Sequence, residues 1–584
     1  MKFFEKAFLC KMDKKSISVV FLFLLVIGRM QAQDYPQNYF SSPLDTPLVL
    51  ISTFGEIRQD HFHSGIDLGT GEMEGVPVMA SADGYISRIK IAPDGYGKAL
   101  YITHPNGYVS VYGHLQKFTQ PVNEYVRKAQ YEKETFAIEL LPKAKEFRVK
   151  KGEVIAYSGS SGGAEGPHLH FEIRHEETEE PINPLLFGIP VRDNTPPEIK
   201  YVRFYPTPEA GILDKTDTAE TFEVQVVDGV NMLNTPDFVQ AFGMIGIGFS
   251  AVDHQEYSSA NLGIYAAELY VDGNLAYQWR MDRFNFDDTR YVNAHIDYLT
   301  YKRDNVTIER CFRLIGNPLL IYGDTSQLGY QNWTEDAPHD IRIVAKDFSG
   351  NTSLLEFQMI SYSSMFDRPY QPKVPGTVLV TPQKGIAIHK NDLDIIIPSG
   401  SVYEDFHFID SQRKSSNYLS QVFTVGDQYV AVHQPITIGI KPLASIADSL
   451  KKQAVIINIL NDGAERALPS SWNGPFLTCK SKTFGDFAIR LDTLPPVLAK
   501  EYVPADLNSS RGAVIQIKMK DDLSGIKTYS GAMDGRWFLY EYDAKNNMLQ
   551  ADLSSLDNNM EHTARIIVTD NCGNTTTWEY KFWF

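Results

Sequence analysis

Cysteine is scarce in this chain, which has four among 584 residues. So few thiols exclude a disulfide-stapled scaffold. Basic residues are also few compared with acidic ones. The chain has 55 Lys and Arg and 72 Asp and Glu, which gives a net charge of −17. The negative electrostatic field of such a chain repels phosphate backbones, and the sequence has no concentrated basic patch that would offset it. We therefore expect no nucleic-acid partner. The cysteines beyond the N-terminal segment are widely scattered, and their pairing stays open: Cys311, Cys479 and Cys572.

Long hydrophobic runs are missing as well, and none reaches the ~18–20 residues that a membrane-spanning helix needs. The N-terminal segment has several lysines, then an apolar run over 19–27, then Gln31-Ala32-Gln33. This layout predicts a secretory signal peptide over residues 1–32, cleaved after Ala32, rather than a membrane anchor. No cysteine directly follows the apolar run, so a lipid anchor is not expected. We therefore expect an exported chain whose mature form has no membrane span.

Two proline-containing breakers divide the chain. They are Asp193-Asn194-Thr195-Pro196-Pro197 and Asp492-Thr493-Leu494-Pro495-Pro496. Consecutive prolines lack N–H donors and fix the backbone, so neither segment continues a regular element. At ~100–200 residues per domain, the length predicts three or four domains. The expected boundaries are 33–195, 196–362, 363–492 and 493–584.

Short β-branched and aromatic runs between turns predict an all-β fold class. The segments after the two breakers resemble each other: Val271-Asp272-Gly273 matches Met533-Asp534-Gly535, and 344–351 matches 568–574. The correspondence predicts two related β-sandwich domains, immunoglobulin-like or fibronectin-III-like, at 196–362 and 493–584. The first is longer and is expected to carry an insertion around Tyr291 to Tyr322. Residues 363–492 indicate another β domain, and the charged stretch 121–149 indicates an insertion loop or short hairpin.

Three short segments of the first domain, 61–67, 112–115 and 166–171, hold five of the 14 histidines. On a strand, His168 and His170 point to the same face and can share one site. His63 and Asp67 are four apart, and the glycines around them favour a strand or turn that bends to bring the two together. Imidazole nitrogen and carboxylate oxygen suit zinc, and a catalytic zinc has three protein ligands and one open position. Since no cysteine is near, the segments favour such an open site.

These segments belong to a longer series of motifs: Phe54-Gly55-Glu56-Ile57-Arg58, His63-Ser64-Gly65-Ile66-Asp67, Ala82-Asp83-Gly84, Gly97, Tyr112-Gly113-His114-Leu115, Lys151-Gly152, Gly159 and His168-Leu169-His170-Phe171-Glu172. In this order the series resembles the lysostaphin-type zinc metallopeptidases, which cleave peptidoglycan cross-bridges. The resemblance covers about residues 45–187.

The resemblance implies an antiparallel β peptidase domain in which His63, Asp67 and His170 hold one zinc ion. It implies that His114 and His168 are catalytic, orienting or deprotonating a water and stabilising the oxyanion that forms. His61 lies outside the pattern and is assigned to the rim of the site or to a supporting position. Whether the 121–149 insertion gates the site stays open.

The function implied is an exported zinc metalloendopeptidase that hydrolyses peptide cross-links of peptidoglycan. Export without a wall-sorting signal, together with the resemblance, favours the periplasm over secretion and direct D-alanyl–diaminopimelate cross-links over glycine bridges. The C-terminal β domains would position the enzyme or dock a protein partner. The alternative is a non-catalytic or latent wall-binding or activator protein of the same fold, which the intact residue set disfavours. A third reading, an adhesive or carbohydrate-binding scaffold, lacks an identifiable row of exposed aromatics.

Other polar groups give weaker signals. His104 lies in a turn, Thr103-His104-Pro105-Asn106-Gly107, and is predicted to make a structural hydrogen bond. The pairs Asp287-Asp288 and Asp521-Asp522 could bind calcium, but neither shows the spacing of a calcium loop.

Overall fold

The computed structural model describes residues 35–583 apart from 214–215, 236–237, 257, 324–327, 367–376, 504–512 and 558. The predicted signal peptide lies outside these residues. β-strands dominate the described chain, which confirms the all-β fold class. Within the described ranges, no helix combines the length and apolar character needed to cross a bilayer.

The first region, residues 35–192, consists of two antiparallel sheets and one long helix. Its strands are β1 (Leu50–Ser52), β2 (Ile66–Gly69), β3 (Pro77–Met79), β4 (Gly84–Ile91), β5 (Lys98–Thr103), β6 (Tyr108–Gly113), β7 (Leu115–Phe118), β8 (Ile138–Leu140), β9 (Arg148–Val149), β10 (Val154–Ser158), β11 (His168–His175) and β12 (Pro181–Ile182). The larger sheet runs β1-β2-β11-β6-β5-β4-β8, with β12 on β11 and β9 on β4, and the smaller runs β3-β10-β7. The histidine segments therefore lie on or beside three adjacent central strands, β2, β11 and β6.

The central strand β11 is buried on both faces. Leu169, Phe171 and Ile173 belong to the hydrophobic core. Because side chains alternate along a strand, His168, His170, Glu172 and Arg174 share the opposite face, where all four are also buried. Buried polar groups need partners, so this face must hold a connected polar network.

The insertion prediction for 121–149 is wrong in its secondary structure. The segment begins with helix α1 (Gln120–Lys133), followed by the short strands β8 and β9. Val122, Val126 and Gln130 are the buried residues of α1. They recur every four positions, a helical period that a search for strand alternation misses. A 3₁₀ turn, Pro184–Phe187, ends the region.

The described residues of the second region form ten strands and two short helices. They are β13 (Glu198–Leu213), β14 (Glu220–Val227), β15 (Val230–Leu233), β16 (Val239–Val252), β17 (Ala266–Val271), β18 (Asn274–Arg280), β19 (Glu309–Arg310), β20 (Gln331–Trp333), β21 (Ala337–Lys346), β22 (Thr352–Ser361), α2 (Val292–His295) and α3 (Tyr298–Asp304), with 3₁₀ turns at Thr289–Tyr291 and Ser363–Phe366. The strand order is β18-β17-β21-β22-β15-β14-β13-β16-β19, with β20 on β16. The pairing of β22 with β15 makes this one continuous sheet rather than two separate ones, and a further parallel pairing of β22 with β16 closes β22, β15, β14, β13 and β16 into a ring.

The third region, 377–492, forms two five-stranded sheets and one two-stranded sheet. Its strands are β23 (Val378–Val380), β24 (Ile386–His389), β25 (Leu393–Ile397), β26 (Phe406–Phe408), β27 (Asp410–Arg413), β28 (Val422–Val425), β29 (Ala431–Ile440), β30 (Ala454–Ile459), β31 (Glu465–Leu468), β32 (Ser470–Asn473), β33 (Phe476–Thr483) and β34 (Gly485–Leu491), with a 3₁₀ turn at Asp448–Gln453. The sheets run β23-β26, β24-β25-β29-β33-β32 and β27-β28-β34-β30-β31.

In the fourth region, 493–583, the described residues form two four-stranded sheets. Its strands are β35 (Val497–Tyr502), β36 (Val514–Lys520), β37 (Ile526–Met533), β38 (Arg536–Trp537), β39 (Glu541–Asp543), β40 (Met548–Asp552), β41 (Glu561–Asp570) and β42 (Thr575–Trp583). The sheets run β35-β36-β40-β39 and β38-β37-β41-β42.

The predicted correspondence between the second and fourth regions is visible in the strand order. The order β38-β37-β41-β42 repeats β18-β17-β21-β22, and an Asp-Gly turn closes the hairpin in both. The turn aspartate pairs with a buried histidine on the neighbouring strand each time: Asp272 with His339 at 2.9 Å, and Asp534 with His562 at 2.6 Å. The same local sequence thus makes the same hairpin contacts twice.

One hydrophobic core runs through the first and second regions. At their junction, Phe284 packs against Phe54 and Phe62, with ring centroids 5.2 and 5.5 Å apart. Gly55 approaches Met281 so closely that a Cβ at position 55 would lie 2.8 Å from the methionine side chain. The two regions therefore support each other as folded units.

Candidate functional site

Three potential metal-ligating atoms converge beside the central strands of the first region. His63 Nε2, Asp67 Oδ1 and His170 Nδ1 lie 2.9 to 3.2 Å from one another. All three side chains are buried. We call these residues the histidine cluster; they are the three that the sequence predicts as zinc ligands.

Strand pairing sets this geometry. His170 of β11 lies directly opposite Asp67 of β2 and, on its other side, opposite Gly113 of β6. Gly65 lets the chain before β2 pass close to β11, because a Cβ there would lie 2.4 Å from the carbonyl oxygen of Phe171. His63 consequently reaches the cluster from the loop that precedes β2.

Hydrogen bonds at the far ring nitrogen orient both imidazoles of the cluster. His63 Nδ1 lies 2.8 Å from the carbonyl oxygen of Thr53, which can only accept, so Nδ1 carries the proton and Nε2 is free to coordinate. His170 Nε2 lies 2.7 Å from Glu172 Oε1, and its Nδ1 faces Asp67. A carboxylate behind a histidine is a common support of a metal ligand, because it fixes the ring and its tautomer.

Glu172 is the centre of a buried network behind the cluster. Its carboxylate accepts from Ser64 Oγ at 2.8 Å and from Arg174 Nε at 2.6 Å. Arg174 also donates to the hydroxyl of Tyr96 at 3.2 Å, and this hydroxyl lies 2.9 Å from Ser64 Oγ. The sequence prediction gives none of these residues a role. The alternation that pairs His168 with His170 extends the same face to Glu172 and Arg174, and this signal could have found them.

The two histidines predicted to be catalytic flank the cluster. His114 Nδ1 lies 2.9 Å from the carbonyl oxygen of Ser161, and His168 Nδ1 lies 2.9 Å from that of Gly166. Both rings therefore hold their proton on Nδ1 and leave Nε2 as a proton acceptor. Their ring centroids are 4.8 Å apart, and His168 Nε2 is 3.6 Å from Asp67 Oδ1. His114 has a φ of 58°, a left-handed conformation that costs roughly 1–2 kcal/mol for a residue with a side chain.

Electrostatics separate these two histidines from His170. Burial, together with neighbouring His170 and His168, lowers the pKa of His114 to about 3, and burial lowers the pKa of His168. Both are neutral at pH 7 and able to accept a proton. For His170, burial is outweighed by hydrogen bonds to Asp67 and Glu172, which raise its pKa to about 9. A metal ligand must be deprotonated, so a metal ion would have to displace this proton.

Two other histidines of the first region lie outside the group of converging side chains. His61 is exposed on the loop before His63, with Nδ1 3.1 Å from Asp60 Oδ1, and so lies at the rim rather than behind a ligand. His104 makes structural hydrogen bonds to the carbonyl oxygen of Asp83 and to Ser110 Oγ, which confirms its predicted role.

Parts of the second region support the loop that carries His63. Thr289 Oγ1 accepts from the backbone N–H of Phe62 at 2.8 Å, and Arg290 pairs with Asp60 at 2.7 Å. The fourth region contacts the other side of the site. Lys545 donates to the carbonyl oxygens of Ser160 and Ala164, which flank the Ser161 carbonyl that holds His114.

The insertion after β7 also faces the fourth region. Tyr131 of α1 packs edge-on against Trp537, with ring centroids 5.0 Å apart. Nearby, Lys98 pairs with Glu541 at 2.8 Å. This side of the first region therefore serves as a docking face for the last domain of the same chain.

Comparison with known proteins assigns families to two parts of the chain. Residues 61–131 and 139–184 match Peptidase family M23, which confirms the predicted family resemblance for this region. Residues 377–492 match the Zu5-like domain. The family-M23 peptidases are zinc metallopeptidases, and the donor set of the histidine cluster is compatible with zinc.

Curated relatives match over the same first region. A DD-carboxypeptidase/endopeptidase, Mpg, from Neisseria meningitidis is 36% identical over 23% of this chain and 24% of its own length. The peptidoglycan DD-endopeptidase ShyA from Vibrio cholerae is 29% identical over 23% of this chain and 25% of its own length. The chain thus spans about a quarter of the relatives' length. Among solved structures, the catalytic domain of the M23 protein EnpA from Enterococcus faecalis is 24% identical over 26% of this chain and 98% of its own, with a TM-score of 0.20.

Proposed function

Because residues 61–184 form a domain of peptidase family M23, we propose that this protein is an exported zinc metalloendopeptidase that hydrolyses peptide cross-links of peptidoglycan. The observation that carries the proposal is the convergence of His63 Nε2, Asp67 Oδ1 and His170 Nδ1 within 2.9 to 3.2 Å, with two neutral histidines beside them. The names of the relatives, which include a peptidoglycan DD-endopeptidase, support the substrate class. The predicted signal peptide supports export, and we place the protein in the periplasm.

The histidine cluster fits zinc by its chemistry. Two imidazole nitrogens and one carboxylate oxygen are the borderline donors that zinc prefers, and three protein ligands leave a position for substrate. His63, Asp67 and His170 would hold the ion. When bound, zinc polarises a peptide carbonyl and lowers the pKa of water.

His114 and His168 supply the proton chemistry. Each keeps its Nδ1–H on a backbone carbonyl, so each presents an unprotonated Nε2. One Nε2 can take the proton of the attacking water, and the resulting imidazolium can donate to the leaving amine. The left-handed backbone of His114 and its bond to Ser161 hold this ring in place before substrate arrives.

The cross-link that we propose as substrate is the direct D-alanyl–diaminopimelate bond. The experiment is digestion of purified peptidoglycan by residues 33–584 with zinc, followed by muropeptide analysis. We expect loss of cross-linked dimers and gain of monomers. His114→Ala should leave the dimers intact, whereas His61→Ala, the exposed neighbour of a ligand, should digest like the wild type. Cleavage of glycine bridges alone would overturn the substrate, and intact dimers with wild-type protein would overturn the activity of the free chain.

A second function, a latent enzyme or non-catalytic activator, is favoured by one observation. Lys545 of the fourth region holds the 160–164 loop beside His114. If this contact keeps the site closed, Lys545→Ala combined with Glu541→Gln should raise hydrolysis well above that of the wild type. Lys527→Ala, a change in the same domain, serves as the matched control. If the wild type and the double variant are equally active, the contact between Lys545 and the 160–164 loop does not hold the enzyme in a latent state.

A further inference from the structure

A second cluster of potential ligands lies away from the histidine cluster, where the first region joins the second. The carboxylates of Asp193, Asp253 and Asp347 each place an oxygen within 4.8 Å of the other two. Asp193 belongs to the connecting segment, Asp253 directly follows β16, and Asp347 directly follows β21. We call these residues the aspartate cluster. Asp253 and Asp347 are each only 3% exposed.

The negative charge of this cluster has no protein counter-charge. In the part of the chain that the structure describes, none of the three carboxylates has a Lys, Arg or His nitrogen within 4.0 Å. Carboxylates this close together repel one another, most strongly where they are buried, as Asp253 and Asp347 are. Burial and the neighbouring Asp347 and Asp193 raise the pKa of Asp253 to about 8. The folded chain therefore holds a site that lacks positive charge.

An unsatisfied oxygen marks where that charge is missing. Asp253 Oδ1 is buried and has no hydrogen-bond partner among the described residues. The other two members are partly satisfied: Asp193 Oδ1 accepts from the Thr195 N–H at 2.9 Å, and both oxygens of Asp347 accept from Asn351. A buried acceptor without a donor is costly unless a ligand pairs with it.

The fourth region contains the equivalent cluster, and the comparison is informative. Asp492, Asp521 and Asp570 occupy the same positions in the repeat and also lie within 4.8 Å of one another. There the position corresponding to Asp253 is satisfied, because Asp521 Oδ2 accepts from the N–H groups of Leu523 and Gly525 at 3.1 and 2.7 Å. Among the described residues, the repeat thus preserves the carboxylates but leaves a buried carboxylate oxygen without a hydrogen-bond partner only in the first copy.

We propose that Asp193, Asp253 and Asp347 bind one calcium ion at the junction of the peptidase domain with the β domain that follows it. Calcium takes 6–8 oxygen ligands and tolerates irregular geometry, so carboxylates completed by water suit it, whereas magnesium demands a near-ideal octahedron. A cavity of about 20 Å³, enough for one water, is lined by Asp193 and Asp253 but not by Asp347. The ion links the connecting segment to two strand ends and so fixes the junction.

The test uses residues 33–584 with zinc kept at one equivalent in calcium-free buffer. Calcium is then added to about 1 mM, the range of extracellular calcium modules. We expect binding by isothermal titration calorimetry and a rise in the thermal midpoint of the wild type, since a ligand of the native state stabilises it. Asp253→Asn should lose both. In calcium-free buffer this variant should melt no lower than the wild type, because the amide, like a protonated carboxyl, adds no negative charge beside Asp193 and Asp347. Asp521→Asn, the matched change in the repeat, should keep the calcium response.

Several results would overturn the proposal. They are a wild type that neither binds calcium at about 1 mM nor gains stability, a response that survives in Asp253→Asn, and a response lost in Asp521→Asn but kept in Asp253→Asn. An equal rise with magnesium would overturn the choice of ion. If Asp253→Asn fails to fold, the calorimetric titration of the wild type still decides, because absence of binding there contradicts the site.

Discussion

The histidine cluster and the aspartate cluster differ in how the negative charge of their carboxylates is balanced. Each is a group of three ligand residues, all buried in the histidine cluster and two of the three buried in the aspartate cluster, and both adjoin contacts between the first two regions. In the histidine cluster the protein supplies positive charge nearby: Arg58 lies 3.7 Å from Asp67, and Arg174 pairs with Glu172. The aspartate cluster has no such partner among the described residues.

The difference teaches what each site can bind. Two imidazoles and one carboxylate, held by a compensated network, favour a borderline metal such as zinc without a large charge deficit. Three carboxylates without a cation favour a hard ion that brings the missing charge. The two metal-binding proposals can therefore be tested separately. A substitution next to one cluster should leave metal binding at the other cluster unchanged.

The largest effect is expected from Arg174→Met. This change leaves Glu172, which is fully buried, without its guanidinium partner, and breaking such a pair costs about 3–5 kcal/mol of the free energy of unfolding. Urea unfolding should show the loss. Arg303→Met, which removes an exposed pair with Asp304, should move the midpoint little. Similar losses of unfolding free energy in both variants would show that the buried network of Glu172 and Arg174 does not stabilise the fold. The histidine cluster would then not differ from the aspartate cluster in having a stabilising counter-charge.

An intermediate effect is expected from Glu172→Gln. The amide keeps the shape of the side chain but removes the carboxylate behind His170, so zinc affinity should fall about 10–100-fold. Competition with a chelator measures it. Glu179→Gln changes an exposed carboxylate 3.6 Å from Arg174 and should leave zinc affinity as it is. Calcium affinity should be the same in both variants; a parallel loss of calcium would mean that the two clusters are coupled.

Taken per pH unit, the smallest effect is that of pH on zinc binding. Without metal, His170 is protonated up to a pKa of about 9, above its ordinary value of 6.5. Its proton stabilises the metal-free fold at low pH, and this contribution is lost as the pH rises through about 9. Zinc must displace that proton, so its apparent association constant should rise about tenfold per pH unit from about pH 6.5 and level off near pH 9. A flat profile over this range would contradict the assignment of His170 as a ligand.

The two clusters also differ in how far the sequence foretells them. His63 with Asp67, and His168 with His170, are close in the chain, so strand geometry and the family resemblance locate them. Glu172 and Arg174 continue the same strand face and are within reach of that reasoning. Asp193, Asp253 and Asp347 are single residues far apart in the chain. Only the pairing of distant strands brings them together, which no local spacing reveals.

The fold, too, has features that local sequence predicts and features that depend on contacts between distant segments. The Asp-Gly turns after each breaker identify the repeat, because hairpin chemistry is local. Strand alternation does not reveal the helix over Gln120–Lys133, although its buried residues carry a helical period. The packing of Phe284 on the His63 loop depends on contacts between segments roughly 200 residues apart in the chain and is not contained in either segment alone.

The zinc content of three purified chains tests the central claim most directly. The wild type, His170→Ala and His114→Ala, each as residues 33–584, would be loaded with zinc, freed of excess and measured for metal per chain beside peptidoglycan hydrolysis. We predict one zinc and activity in the wild type, neither in His170→Ala, and one zinc without activity in His114→Ala. A wild type without zinc, or a His170→Ala chain that retains it, would contradict the histidine cluster as the metal centre of the enzyme.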